Sequence, residues 1–216
     1  MLQRLMFLAA LSFAAGSALA QPASDATFAE GKDYFPISPA QPTSAPGKIE
    51  VVEVFGYPCI HCAHAAPVVA KWEKTIPSDV KFVLTPAVFG GVWEAYGRVY
   101  YTAETMGVVG KTHEALFEAI HTEKRAMNNF DDIATFYAEH GVNKEEFLAT
   151  LQSFPVNAKI ADSQRQVAAY GVEGTPTMIV NGKYRVVAPS GAESFEKMLQ
   201  VVDFLVAKER AALPKG

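Results

Sequence analysis

The chain's only two cysteines stand three residues apart in Cys59-Ile60-His61-Cys62, directly behind the run Val51-Val52-Glu53-Val54-Phe55 and the break Gly56-Tyr57-Pro58. A run this rich in β-branched and aromatic residues reads as a strand, and Gly-Tyr-Pro ends it. From about Cys59 to Lys74 the period changes to that of a helix, with Val68, Val69 and Trp72 on one side. Val80–Leu84 reads as a second strand. Strand, helix, strand in that order indicates a parallel β-α-β unit with the cysteine pair at its first strand-to-helix junction.

At that junction the pair reads as chemistry. A bridge closing only two intervening residues removes little entropy from the unfolded chain, so it contributes little as a staple. Spacing of three residues on a helix puts both sulfurs on one face, one turn apart. Cys59 falls at the helix start, beside unpaired backbone N–H groups and the positive end of the helix dipole, which favours thiolate over thiol. His61, when protonated, adds positive charge near the same sulfur. Stabilising the thiolate stabilises the reduced form and makes the disulfide a stronger oxidant. Cys62, one turn inside, suits the resolving role. Glu53 interrupts an apolar strand six residues before Cys59 and shares a face with Val51 and Phe55. It is expected to be a half-buried proton acceptor beneath the cysteines.

The rest of the chain supplies a helical block and a second strand region. Helical periodicity recurs over Ala95–Met106, His113–His121, Ile133–His140 and Glu145–Phe154, punctuated by Gly107, Gly110, Gly141 and Pro155. Thr177–Val180 and Tyr184–Val187 read as strands joined by the two-residue turn Asn181-Gly182, and Ser194–Arg210 as a closing amphipathic helix. The fold class is therefore α/β: β-α-β, a helical insertion, then hairpin and helix. The expected division is a signal peptide over 1–20, an irregular arm rich in Pro, Ser, Ala and Gly over 21–48, and a first α/β part over 49–91. An inserted helical subdomain follows over 92–164, and a second α/β part over 165–216.

Arg4, the apolar stretch Leu5–Ala15 and the small-x-small site Ala18-Leu19-Ala20 have the order of a cleavable secretory signal. Export to an oxidising compartment permits a disulfide. No later segment is long and apolar enough to span a bilayer, so no stable membrane insertion is expected. A net charge of −4 and the lack of a Lys/Arg run argue against nucleic-acid binding. A thiol and histidine metal-binding module is the alternative from another class. His61 and His64 lie nearby, but ligands on consecutive turns of one helix cannot converge tetrahedrally, and there is no second cysteine pair; no metal is expected.

The segment Glu53-Val54-Phe55-Gly56-Tyr57-Pro58-Cys59-Ile60-His61-Cys62 resembles the active-site strand and helix of the DsbA family of periplasmic dithiol oxidases. Gly171-Val172-Glu173-Gly174-Thr175-Pro176-Thr177, the following strand with Asn181-Gly182-Lys183-Tyr184, and Glu30-Gly31-Lys32-Asp33-Tyr34 are similar to further stretches of the family. The resemblance implies a thioredoxin fold with an inserted helical subdomain. It implies a periplasmic enzyme that introduces disulfide bonds into reduced, unfolded exported proteins through Cys59 and Cys62. A DsbB-type quinone-linked membrane oxidase would reoxidise it; no bound cofactor is needed, and a monomer is expected. It also implies a cis Pro176 opposite the cysteines, with the exposed backbone of Thr175 pairing with an extended substrate chain. Ile60 stands where the family dipeptide more often has proline, and Thr175 where valine is common. The same-fold alternative is a reductase or isomerase, but the roughly 28 residues of the arm leave no room for an isomerase's dimerisation domain.

Overall fold

The computed structural model describes residues 28–189 and 194–213; the signal expected over 1–20 and the first residues of the arm lie outside the described residues. In chain order the elements are β1 (Phe35–Pro36), β2 (Ile49–Phe55), α1 (Ile60–Glu73), β3 (Val80–Pro86), α2 (Val92–Thr105), α3 (Val109–His121), α4 (Phe130–Glu139), α5 (Lys144–Leu151), α6 (Phe154–Ala169), β4 (Thr177–Val180), β5 (Tyr184–Val187) and α7 (Ser194–Ala212). The strands form one mixed sheet in the order β1-β5-β4-β2-β3. β2 pairs in parallel with β3, Val51 opposite Phe82 and Phe55 opposite Pro86, and antiparallel with β4, Glu53 opposite Met178. The parallel β-α-β unit is thus present, with β2 an interior strand between β4 and the edge strand β3.

The period of two along β2 sorts its side chains between two layers. Val51 packs with Val69 and Trp72 of α1 and with Met198, Val202 and Leu205 of α7. Val52 and Val54 face the other way, onto Val167 of α6 and Tyr170 just beyond it. Phe55 and Tyr57 reach past the strand end into a third cluster built mainly by α2–α6, with Leu116, Phe117, Phe136 and Tyr137 among its buried members. Burying each such side chain contributes about 1.5–3 kcal/mol, so one strand ties sheet and insertion together. The hairpin turns on Asn181 and Gly182, both with positive φ, 51° and 64°. Any Cβ at Gly182 would run into the backbone oxygen of Gln41.

Two features differ from the sequence reading. The arm is not wholly irregular: Phe35 and Pro36 pair antiparallel with Arg185 and Tyr184 as a short edge strand, a place where proline's missing N–H faces no partner. The insertion carries one more helix than the four periodic stretches. Pro155 opens α6 in its first turn, where its lack of an N–H costs nothing. α6 then runs unbroken across residues 164 and 165.

Candidate active site

The turn between β2 and α1 is closed by the Cys59 N–H, which donates to the Gly56 carbonyl at 3.0 Å. Cys59 is the N-cap of α1, in an extended conformation, and its sulfur accepts the Cys62 backbone N–H at 3.3 Å. Both cysteines are free thiols; Cys59 is partly exposed and Cys62 fully buried. The Cys59 S–H also points at the Thr175 carbonyl, 3.3 Å away. The Thr175–Pro176 peptide bond is cis. A site made of residues 116 apart in sequence is therefore assembled by β4, which lies beside β2 and brings the Thr175-Pro176 corner over the N-terminus of α1.

The surroundings split the two thiols. The Cys62 thiol, hydrogen-bonded to Cys59, does most to pull the Cys59 pKa down, from 9.0 to about 5; the Thr175 side chain and the backbone N–H groups of Cys62 and His61 add to this against some desolvation. Burial pushes Cys62 far up, helped by its bond to Cys59 and by the Cys59 charge. At neutral pH the reduced pair is one outer thiolate and one inner thiol. What His61 gives the Cys59 sulfur is its backbone N–H; the ring is exposed on the first turn of α1. It borders a cavity of about 380 Å³ with Gly174, Thr175, Pro176, Val187 and Phe195.

Glu53 corrects one expectation. It is not half-buried but only 4 % exposed, because it sits on an interior strand between Leu84 of β3 and Met178 of β4. Burial, then the charges of Glu73 and Cys59, raise its pKa from 4.5 to about 8, so at neutral pH it mostly holds its proton. Its carboxyl borders a cavity of about 230 Å³ whose other titratable lining groups are Glu73, His113 and Glu114. That volume has room for several waters.

The sequence reading passed over the residues that hold the turn from the insertion side. Tyr57, 1 % exposed, bonds His113 Nδ1 through its hydroxyl at 2.9 Å, and its carbonyl accepts from His121 Nε2–H at 2.7 Å. The signal was available as His113, Phe117 and His121, spaced four apart on one face of α3. Gly56 also has a reason beyond breaking the strand: a Cβ there would collide with the ring of Trp93. Among the described residues no group of three or more His, Cys, Asp or Glu side chains is placed to hold a metal ion. Among them, too, no helix is long and apolar enough to cross a membrane.

Residues 50–203 match the family model of the DSBA-like thioredoxin domain. The thiol:disulfide interchange protein DsbA of Pseudomonas aeruginosa is 42 % identical over 214 residues, covering 99 % of this chain and all of the relative. Its counterpart in Pseudomonas syringae pv. tomato is 49 % identical over 182 residues, 84 % of this chain and 85 % of the relative. Among solved structures, Pseudomonas aeruginosa DsbA superposes with a TM-score of 0.80 at 43 % identity, over 86 % of this chain and 96 % of that one. The oxidoreductase DsbA of Xylella fastidiosa gives 0.79 at 40 %, over 84 % and 97 %. An interior strand leading into a split dithiol, a cis-proline corner against the outer sulfur and helices inserted between β3 and β4 accompany these likenesses: the chain is a thiol–disulfide oxidoreductase and belongs to the DSBA-like thioredoxin-domain family.

Proposed function

We propose that this enzyme works in the periplasm as a dithiol oxidase, donating its Cys59–Cys62 disulfide to reduced, unfolded exported proteins. The observation that carries this reading is the split of the thiols, Cys59 lowered to about 5 and Cys62 raised. A stable thiolate makes the reduced form the favoured one, so the disulfide gives up its oxidising equivalents readily; that argues for an oxidase over the reductase or isomerase of the same fold.

In the first step a substrate thiolate attacks the Cys59 sulfur. A substrate–Cys59 disulfide forms, the Cys59–Cys62 bond breaks, and its electron pair leaves on Cys62, which takes up a proton. Glu53, protonated at neutral pH and next to this sulfur electrostatically, is the donor in our reading. In the second step a second substrate thiolate attacks the substrate sulfur of the mixed disulfide and expels Cys59 as a thiolate, a good leaving group at a pKa of about 5. The substrate has lost two electrons and the enzyme holds them as a thiolate and a thiol. Thr175 and Pro176, bordering the cavity beside the outer sulfur, hold the extended substrate chain, and His61 flanks it. A DsbB-type quinone-linked membrane oxidase restores the disulfide, and the enzyme acts as a monomer.

The test is Cys62→Ser. The variant has no disulfide of its own to donate, but its Cys59 thiolate can attack a disulfide of an oxidised exported protein, the reverse of the second step, so that a Cys59–substrate disulfide forms and the substrate's other sulfur leaves as a thiolate. Without the Cys62 thiol to attack Cys59 and release the substrate, these adducts should persist, and periplasmic extracts run on non-reducing gels should show bands that vanish with reductant and release cysteine-containing exported proteins. If no such bands form while the wild type still oxidises a reduced test protein, Cys59 is not the substrate-facing sulfur.

A further inference from the structure

The turn that carries Cys59 is held from outside the thioredoxin unit, by a single residue gripped at both ends. Tyr57 and Pro58 are its corner residues, between the Gly56 carbonyl and the Cys59 N–H that close it at 3.0 Å. His121, at the last position of α3, donates Nε2–H to the Tyr57 carbonyl at 2.7 Å. His113, two turns earlier, meets the Tyr57 hydroxyl at 2.9 Å. Phe117 lies between the two histidines in sequence and packs its ring 5.0 Å from that of Tyr57. Burial keeps His113 neutral, with its pKa down at about 4, so its end of the grip carries no charge across the working pH range.

We infer that His121 and His113 are positioning residues for the redox chemistry: through Tyr57 they fix the turn that seats the Cys59 sulfur as the cap of α1. The link from grip to chemistry is geometric. The Cys62 and His61 backbone N–H groups reach the sulfur only while Cys59 keeps its capping conformation. A carbonyl left without its donor lets the corner re-orient, and the sulfur then spends less time on those donors. The insertion is in this way part of the device that sets the thiolate, although none of its side chains is among the groups that lower the Cys59 pKa.

This inference rests on Cys59 being the substrate-facing thiolate, and the experiments separate the two. In the wild-type protein at pH 8, nitrogen NMR should show the neutral His121 imidazole with its proton on Nε2. A bare Nε2 cannot bond a carbonyl oxygen and would overturn the proposal whatever the variants do. His121→Leu should then shrink the Cys59 thiolate fraction at pH 5 by up to about tenfold, read as the rate of iodoacetamide labelling, and shift the glutathione equilibrium by a similar factor toward a weaker oxidant. His121→Gln, which keeps an N–H donor at comparable reach, should stay within about threefold of wild type. A role confined to stability would lower the urea midpoint of the Leu variant and leave both redox readings where they were, which refutes the inference. Should the Leu variant fail to fold, His121→Asn, whose amide stops short of the Tyr57 carbonyl, makes the same comparison with Gln. Faster labelling of Cys62 than Cys59 in wild type would instead sink the assignment of the outer thiolate.

Discussion

Replacing Glu53 by glutamine should change the pH dependence of stability strongly. The wild-type carboxyl is only 4 % exposed, and burial with the charges of Glu73 and Cys59 lifts its pKa from 4.5 to about 8. An acid whose pKa is raised on folding holds its proton more tightly in the folded state. The unfolded chain ionises first, so the stability is fully present below pH 4.5 and is lost as pH rises through about 8. At about 1.4 kcal/mol for each pH unit, that span amounts to about 4–5 kcal/mol for a group this buried. Glutamine has nearly the same shape and cannot ionise. Urea unfolding of reduced Glu53→Gln and wild type should therefore give similar stabilities near pH 4.5 and curves that separate steadily up to pH 8, with the variant on top. In the disulfide form Cys59 carries no charge, one of the three causes disappears, and the separation should begin to level off at a lower pH. Parallel curves from pH 4 to pH 9 would show that Glu53 has the same pKa in the folded and unfolded protein and is ionised at neutral pH, and the proton-donor role would fall with it. If the role is right, oxidation of a reduced peptide by the variant is slower and its pH profile lacks the inflection near 8.

The glutathione equilibrium should follow the Cys59 thiolate: at fixed concentrations of glutathione and its disulfide, the ratio of reduced to oxidised enzyme should rise about tenfold per pH unit above about 5 and flatten below it. A ratio independent of pH between 5 and 8 would contradict the depressed thiol. His61→Ala should make the disulfide less oxidising by about tenfold at most, since the ring is water-exposed and its charge is screened; a larger loss in that equilibrium would mean that the imidazole contacts the sulfur directly in solution. Gly56→Ala should lower stability by about 1–3 kcal/mol, read from the urea midpoint, because the new methyl meets the Trp93 ring; an unchanged midpoint would show that the ring is free to move aside.

The fold was legible wherever a local period decided it. β2 reads as a strand because its apolar residues are β-branched and aromatic, and α1 starts where the period changes at Cys59, its N-cap. The hairpin strands Thr177–Val180 and Tyr184–Val187 follow from the turn residues between them. What stayed hidden depends on partners distant in the chain. Two residues, Phe35 and Pro36, become a strand only because β5 offers an edge. α6 mixes polar residues through its length and carries a proline in its first turn, so its apolar face, Val156, Ile160 and Val167, is defined by what covers it rather than by a strong period.

The same division holds for the site. The cysteine spacing and the helix start are local, and they were enough to place Cys59 as the outer sulfur at the helix start and Cys62 as the inner one. How deeply Glu53 is buried is not local: a lone carboxylate in a strand reads alike at a sheet edge and at a sheet centre, and only the pairing of β2 with both β3 and β4 makes it a group of pKa about 8. Tyr57 is less legible still. Its hydroxyl and carbonyl are satisfied by histidines 56 and 64 residues away, and nothing in the turn itself foretells them. A thiolate can be encoded in four consecutive residues. Its poise draws on Thr175 across the sheet and a buried acid beneath it, neither of which those four residues contain. Two chains with identical four-residue motifs should therefore differ in oxidising strength whenever their β4 corner or the strand before the motif differs, and the measured potential of this enzyme is expected to respond to Thr175 and Glu53 as well as to the residues between its cysteines.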